Sequence, residues 1–167
     1  MDIEEKTPEE MIQILPVPQY RDALKFINLG RSLNCKAQTR HAKSNGYWRC
    51  VFTKKKPSRV LFTVECTEDW WRVKAMLSNL EQYKEELRGC SETLVHSIIS
   101  AYDCHKCNDH CKGPNPFYFD NVEYKKCLGC SFYFSDLNEA DQDSLIKLLK
   151  REEQIQRLLN RNKTGVQ

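Results

Sequence analysis

The chain has 167 residues, about one domain's worth, with 40% hydrophobic and 29% charged residues, the balance of a soluble chain with a core and not of a disordered or fibrous one. No apolar run approaches the ~18 residues that cross a bilayer, and the acidic start MDIEEKTPEEM has neither the basic end nor the apolar stretch of a secretion signal. Nine cysteines in such a chain are expected to be reduced thiols of a cytoplasmic protein; neither a membrane protein nor an extracellular disulfide scaffold is expected.

The net charge of +3 conceals a polarised chain. Residues 1–30 sum to −3, residues 31–60 to +9, residues 61–100 to −3, and residues 101–130 and 131–167 to zero each. The +9 comes from Arg31, Lys36, Arg40, Lys43, Arg49, Lys54, Lys55, Lys56 and Arg59, and no acid occurs between Asp22 and Glu65.

Thr7-Pro8-Glu9-Glu10 is a helix start, with Thr7 to cap, Pro8 at the first helical position and Glu10 to complete a capping box. Pro16 and Pro18 keep that helix short. A second helix is expected from about Gln19, burying Tyr20, Leu24 and Ile27, with Gly30 placed to end it.

The period then changes. Asn45-Gly46 signals a hairpin, Lys56-Pro57-Ser58 a second turn and Glu68-Asp69 a third. Four strands result, at about 34–43, 47–54, 59–66 and 70–77, joined as an antiparallel meander because the connections are too short for crossovers. Alternation sorts the side chains. One face collects Cys35, Ala37, Trp48, Cys50, Phe52, Val60, Phe62, Val64, Cys66, Trp71, Val73 and Ala75. The opposite face collects Lys36, Arg40, Arg49, Arg59, Arg72 and Lys74, with Tyr47 and Trp70, and Glu65 as its one acid.

Ser78 is expected to open the next helix, with Glu81 at the box position and Gly89 at its end, and Ser91 to cap a more apolar one containing His96 as a core histidine. A cysteine-rich stretch fills 104–130, and an amphipathic helix from about Asn138 to Asn160 closes the chain, with Leu145, Leu148, Leu149, Ile155, Leu158 and Leu159 as its stripe. That stripe packs on the preceding helices or forms a homodimer. The expected fold class is α+β: a four-stranded antiparallel meander with flanking helices, a zinc-knuckle segment and a long C-terminal helix. Residues 1–102 form the part with the basic sheet face, and residues 103–167 the zinc segment and last helix, packed with it as one unit.

Two features point to chemistry. The first is the cluster CHKCNDHC…CLGC. Cys104-x2-Cys107 and Cys127-x2-Cys130, with 19 residues between them, have zinc-ribbon spacing. Cys111 adds a fifth thiol, so it and Cys127 could complete the tetrahedron in place of the second pair. Zn2+ is borderline-soft and imposes no geometry of its own, so two short knuckles suffice, and four thiolates leave no position for a reacting water. The zinc is therefore expected to be structural. FYFDNVEYKKC between the knuckles reads as a hairpin turning at Asp120-Asn121. Cys35, Cys50, Cys66 and Cys90 are read as buried apolar thiols.

The second feature is the basic face. Like charges on neighbouring strands repel, and a surface built only for solubility mixes signs. Lys54, Lys55 and Lys56 extend the field, and Tyr47 and Trp70 offer rings on which a base can stack. The face is expected to bind nucleic acid or an anionic, nucleotide-like small ligand; the bland alternative is a structural or protein–protein interaction module with a solvated basic face. No G-x-S-x-G, P-loop, H-E-x-x-H or G-x-G-x-x-G occurs, so the reading is non-enzymatic.

The run YWRCVFTKKKPSRVLFTVECTEDWWRVKAML, followed by a helix and then CHKCNDHCKG…YKKC, resembles small uncharacterised YdhG/YjbR-like α+β proteins of Gram-positive bacteria that carry a C-terminal cysteine segment. The resemblance covers about residues 19–150. It implies the architecture and brings no activity with it.

Overall fold

The computed structural model describes residues 5–56, 58–102, 114–127 and 131–165. Helix α1 (Pro8–Ile12) begins with the expected capping box: the Thr7 hydroxyl accepts from the Glu10 N–H, and the Glu10 carboxylate accepts from the Thr7 N–H. Helix α2 (Val17–Ser32) runs past Gly30. Its stop is Asn34, at φ 53°. The N–H groups of Asn34 and Cys35 bond back to the carbonyls of Arg31 and Gly30 at 2.9 Å each, a Schellman closure in which asparagine takes the left-handed position. Gly30 serves packing instead: a Cβ there would overlap the Phe52 ring, so its absence lets α2 lie directly on the sheet.

Strands β1 (Lys36–Ala42), β2 (Tyr47–Lys55), β3 (Ser58–Cys66) and β4 (Trp71–Ala75) form the expected antiparallel meander. After the 3-10 turn Leu80–Tyr83 and helices α3 (Lys84–Arg88) and α4 (Glu92–Ile99), strands β5 (Pro114–Phe119) and β6 (Val122–Cys127) make a separate hairpin. Its turn residues Asp120 and Asn121 both have positive φ, at 48° and 65°, the conformation a two-residue hairpin turn demands. Strand β7 (Phe132–Ser135) then returns to pair antiparallel with β4. The main sheet thus has five strands in the order β1-β2-β3-β4-β7, one more than the alternation of residues 34–77 indicates. Helix α5 (Glu139–Thr164), capped by the Asn138 side chain, completes the fold.

One face of the sheet carries the core. Cys50, Phe52, Phe62, Val64, Cys66, Trp71, Val73 and Ala75 are buried there, together with Phe132 and Phe134 from β7. Met11, Phe26, Ile27, Tyr83, Leu145, Leu148 and Leu149 join them from the helical side. The core thins toward β1, where Ala37 is exposed and Cys35 and Trp48 are half-buried. Burial pushes the Cys50 thiol up to about 11 and the Cys66 thiol to about 12, so both are inert apolar groups. Along α5 the stripe Leu145, Leu148, Leu149 and Ile155 is buried within the chain, whereas Leu158 and Leu159 are exposed.

Ser78 does not cap a regular helix. The segment opens as a 3-10 turn with no side-chain cap, because Ser78 is committed elsewhere. Its N–H and hydroxyl donate to the Glu152 carboxylate of α5 at 3.2 and 2.9 Å, beside the Asn79 N–H at 3.1 Å, the Asn79 amide at 2.9 Å, the Tyr83 hydroxyl at 2.8 Å and the Gln156 amide at 2.6 Å. A carboxylate has two oxygens with about four acceptor sites. Six donors on one fully buried group make it the clamp between α5 and the end of the sheet. Burial and the adjacent Glu152 carboxylate hold the Tyr83 hydroxyl well above its usual range.

Candidate nucleic-acid interface

Among the described residues the helices that cover the core leave the other sheet face open, and the strand register shows which residues share it. One row across the sheet reads Arg40, Arg49, Glu65, Arg72, Ser135, each directly opposite the next. The row beside it reads Gln38, Val51, Thr63, Lys74, Tyr133. Lys36 follows, opposite Thr53. The structure therefore brings together Lys36, Arg40, Tyr47, Arg49, Trp70, Arg72 and Lys74, as alternation implies.

Arg59 does not belong with them. Between Phe52 and Thr53 the β2–β3 register shifts: Phe52 stands opposite Phe62, but Thr53 stands opposite Val60. The extra residue is Leu61. A bulge places two consecutive side chains on one side of the sheet, and both Leu61 and Phe62 are fully buried. Upstream of the bulge the phase is reversed. Val60 turns to the open face with Thr53, and Arg59 turns to the helical side, where it hydrogen-bonds the Ser78 hydroxyl and lies 3.9 Å from Glu152. Lys54, in phase with Phe52, goes the same way and pairs with Glu153 at 3.2 Å and the Leu33 carbonyl. Lys55 and Lys56 stay exposed at the turn.

On the open face the charges are unequal in their freedom. The Arg72 Nε donates to Glu65 Oε2 at 2.6 Å, and Glu65 is only 3% exposed. The Arg72 guanidinium also lies over three rings, with its centre 5.1 Å from the Trp70 centroid, 5.8 Å from Tyr47 and 4.6 Å from Tyr133. These are cation–π distances. Tyr47 and Trp70 touch each other at 5.7 Å, and the Lys74 ammonium sits 5.4 Å from Tyr133. Among the described residues Lys36, Arg40, Arg49 and Lys74 make no ion pair. Arg49 also keeps its buried Nε without a hydrogen-bond partner. Arg40 and Arg49 stand directly opposite each other, a like-charge juxtaposition that costs stability.

Tyr133 is the member that the sequence pattern misses, because it lies on a four-residue strand next to the cysteine cluster. Its signal is the alternation of Phe132, Tyr133, Phe134 and Ser135, buried and exposed by turns. Two acids limit the face. Glu68 and Asp69 are exposed in the turn before Trp70, and they share a pocket with His41, Gly46 and Trp48 at the hairpin end of β1 and β2.

Of the zinc-ligand candidates, Cys104, Cys107, Cys111 and Cys130 lie outside the described residues, as does the side chain of Cys127. The hairpin that lies between the two cysteine pairs in the sequence is described, and its register sets Pro114 opposite Cys127. Elsewhere, a groove of about 670 Å3 between α4 and the β5–β6 hairpin is lined by Cys90, Val95, His96, Ile99, Phe119 and Tyr124 among others. His96 is exposed at its rim and is no core residue. Burial raises the Cys90 thiol, the direction opposite to an activated nucleophile. No helix of the described residues is long and apolar enough to cross a membrane. No family model, no curated protein and no solved structure matches the chain.

Proposed function

We propose that the chain is a non-enzymatic, zinc-stabilised binding protein whose open sheet face holds nucleic acid or a nucleotide by its phosphates. The observation that carries this reading is Arg40 facing Arg49 across β1 and β2, with Lys36 and Lys74 nearby and no acid bonded to any of them among the described residues. A fold keeps such a local conflict where a ligand resolves it. Each phosphate neutralised on this face releases condensed counterions, so binding weakens steeply with salt. The test is the double variant Lys36→Glu with Arg40→Glu. Both residues are exposed on the edge strand, so neither change should destabilise the fold, and Arg40→Glu, which sets an acid opposite Arg49, should stabilise it slightly. Affinity for oligonucleotides should fall, and the slope of log K against log salt should shrink by about 0.7 for each single-strand phosphate no longer neutralised. Unchanged affinity and slope would reduce the face to a solvated surface. The interaction-module reading would then take over, with exposed Leu158 and Leu159 of α5 as its starting point and the mass in solution as its measure.

The second part of the proposal is the metal. Four of Cys104, Cys107, Cys111, Cys127 and Cys130 hold one Zn2+ by their thiolates. Support comes from the β5–β6 register: Pro114, three residues after Cys111, stands directly opposite Cys127, so the hairpin joins the two halves of the cluster at neighbouring strand ends. Elemental analysis of reduced, purified protein should give one zinc per chain, and Cys104→Ser with Cys107→Ser should remove it. Metal-free wild-type protein would overturn this part.

A further inference from the structure

The open face carries more than charge, and its shape selects among nucleic acids. Five strands at a spacing of ~4.8 Å make a surface ~19 Å across. That is wider than the major groove of B-DNA, ~12 Å, which admits a helix or a two-stranded ribbon. A sheet face of this width does not enter that groove, and on an undistorted duplex it meets mainly phosphates. Yet three rings lie on it. Trp70 is 36% exposed and Tyr133 45% exposed, and Arg72 lies between them, near both rings, fixed by Glu65 beneath. The result is a continuous π–cation–π surface running from the start of β2 to β7. In a duplex every base face is already stacked on its neighbour, and such a platform would have nothing to receive.

The platform and the free cations also lie side by side. Lys74 borders Tyr133, and Arg49 is opposite Glu65, which is opposite Arg72. Lys36 and Arg40 lie on β1, at the far edge of the sheet from β7. A mononucleotide reaches one ring and one or two cations. Only a chain of unpaired nucleotides covers rings over β4 and β7 and phosphates over β1 and β2 together. Resting on the reading of the face as a phosphate-binding surface, we infer that it takes single-stranded nucleic acid, with bases stacked on Trp70, Arg72 and Tyr133 and the backbone led across Arg49 and Arg40.

The experiment is a titration, at low and at moderate salt, of an oligodeoxythymidine long enough to cross the sheet, a duplex of the same length and the mononucleotide. The single strand should bind at least about tenfold more tightly than the other two. Tyr133→Ala and Trp70→Ala should each weaken single-strand binding by about 5- to 150-fold and leave duplex binding unchanged. Tyr133→Phe, which keeps the ring beside Arg72, should bind as wild type and so separates stacking from a missing hydroxyl or a folding defect. Equal affinity for single strand and duplex, with Tyr133→Ala neutral, overturns the single-strand assignment. If Lys36→Glu with Arg40→Glu still weakens both in that case, the phosphate-binding face stands without it. Absence of binding to all three probes at low salt overturns both.

Discussion

Glu152→Leu is expected to cost about 3–5 kcal/mol of stability, more than any substitution on the open sheet face that leaves Arg72 and Glu65 in place. The carboxylate has no exposed surface and accepts from Ser78, Asn79, Tyr83 and Gln156. Leucine fills part of the volume but takes the acceptor from two backbone N–H groups, two hydroxyls and two side-chain amides, and each of these donors that stays buried and unpaired costs about 1–3 kcal/mol. Arg59, 3.9 Å away, would lose the acid beside it. Glu152→Gln keeps the shape and one oxygen, so its loss should be smaller, although its amide nitrogen must then face another donor. Adding Arg59→Met to Glu152→Leu should recover part of the loss, because removing both charges avoids the uncompensated one. Urea unfolding with an unchanged slope measures all of these. A Glu152→Leu midpoint equal to that of wild type would show that the six hydrogen bonds do not clamp α5 to the sheet.

That clamp also shows where sequence reasoning runs out. Ser78 and Glu81 have the spacing of a helix start, and local chemistry alone makes Ser78 a cap. A carboxylate 74 residues further along takes its donors instead, and no local pattern announces it. The same holds for Arg59. Alternation assigns it correctly for a regular strand, and the bulge at Leu61 reverses the phase for the three residues before it. The run of three apolar residues Val60-Leu61-Phe62, where strict alternation has a polar one in the middle, is the trace of that reversal in the sequence. Gly30 and Asn34 exchange roles for a packing reason, since Phe52 claims the space where a side chain at Gly30 would stand. Elsewhere the pattern suffices. Cys50, Phe52, Phe62, Val64, Cys66, Val73 and Ala75 alternate without interruption and are all buried, and the cations between them accordingly share the opposite face. Tyr133 escapes because a strand of four residues is shorter than the window in which period two can be recognised.

The ion pair at the centre of that face leads to the second large effect. Arg72→Ala should destabilise the protein by about 2–4 kcal/mol, somewhat below the cost of breaking a fully buried pair, because the arginine side chain is 31% exposed and its partner 4%. The loss has two parts. Glu65 would be left in a buried site with its 2.6 Å partner gone, and the stacking of the guanidinium on Tyr47, Trp70 and Tyr133, worth about 0.5–1 kcal/mol per ring at such sites, would vanish. Arg49 is directly opposite Glu65 and can turn toward it, which sets the lower end of the range. Arg72→Glu should be worse, since it sets two carboxylates against each other. A double-mutant cycle with Glu65→Ala should give a coupling of at least about 1 kcal/mol, as expected of residues that touch. These costs bear on function, because a binding defect in an Arg72 variant mixes a missing phosphate partner with a disordered platform. Lys36→Glu with Arg40→Glu avoids that confusion, both residues lying on the exposed edge strand. If Arg72→Ala unfolds at the wild-type midpoint and its cycle with Glu65 shows no coupling, then Arg72 is an ordinary solvated cation, the three rings are not held in register by it, and the stacking platform loses its central member.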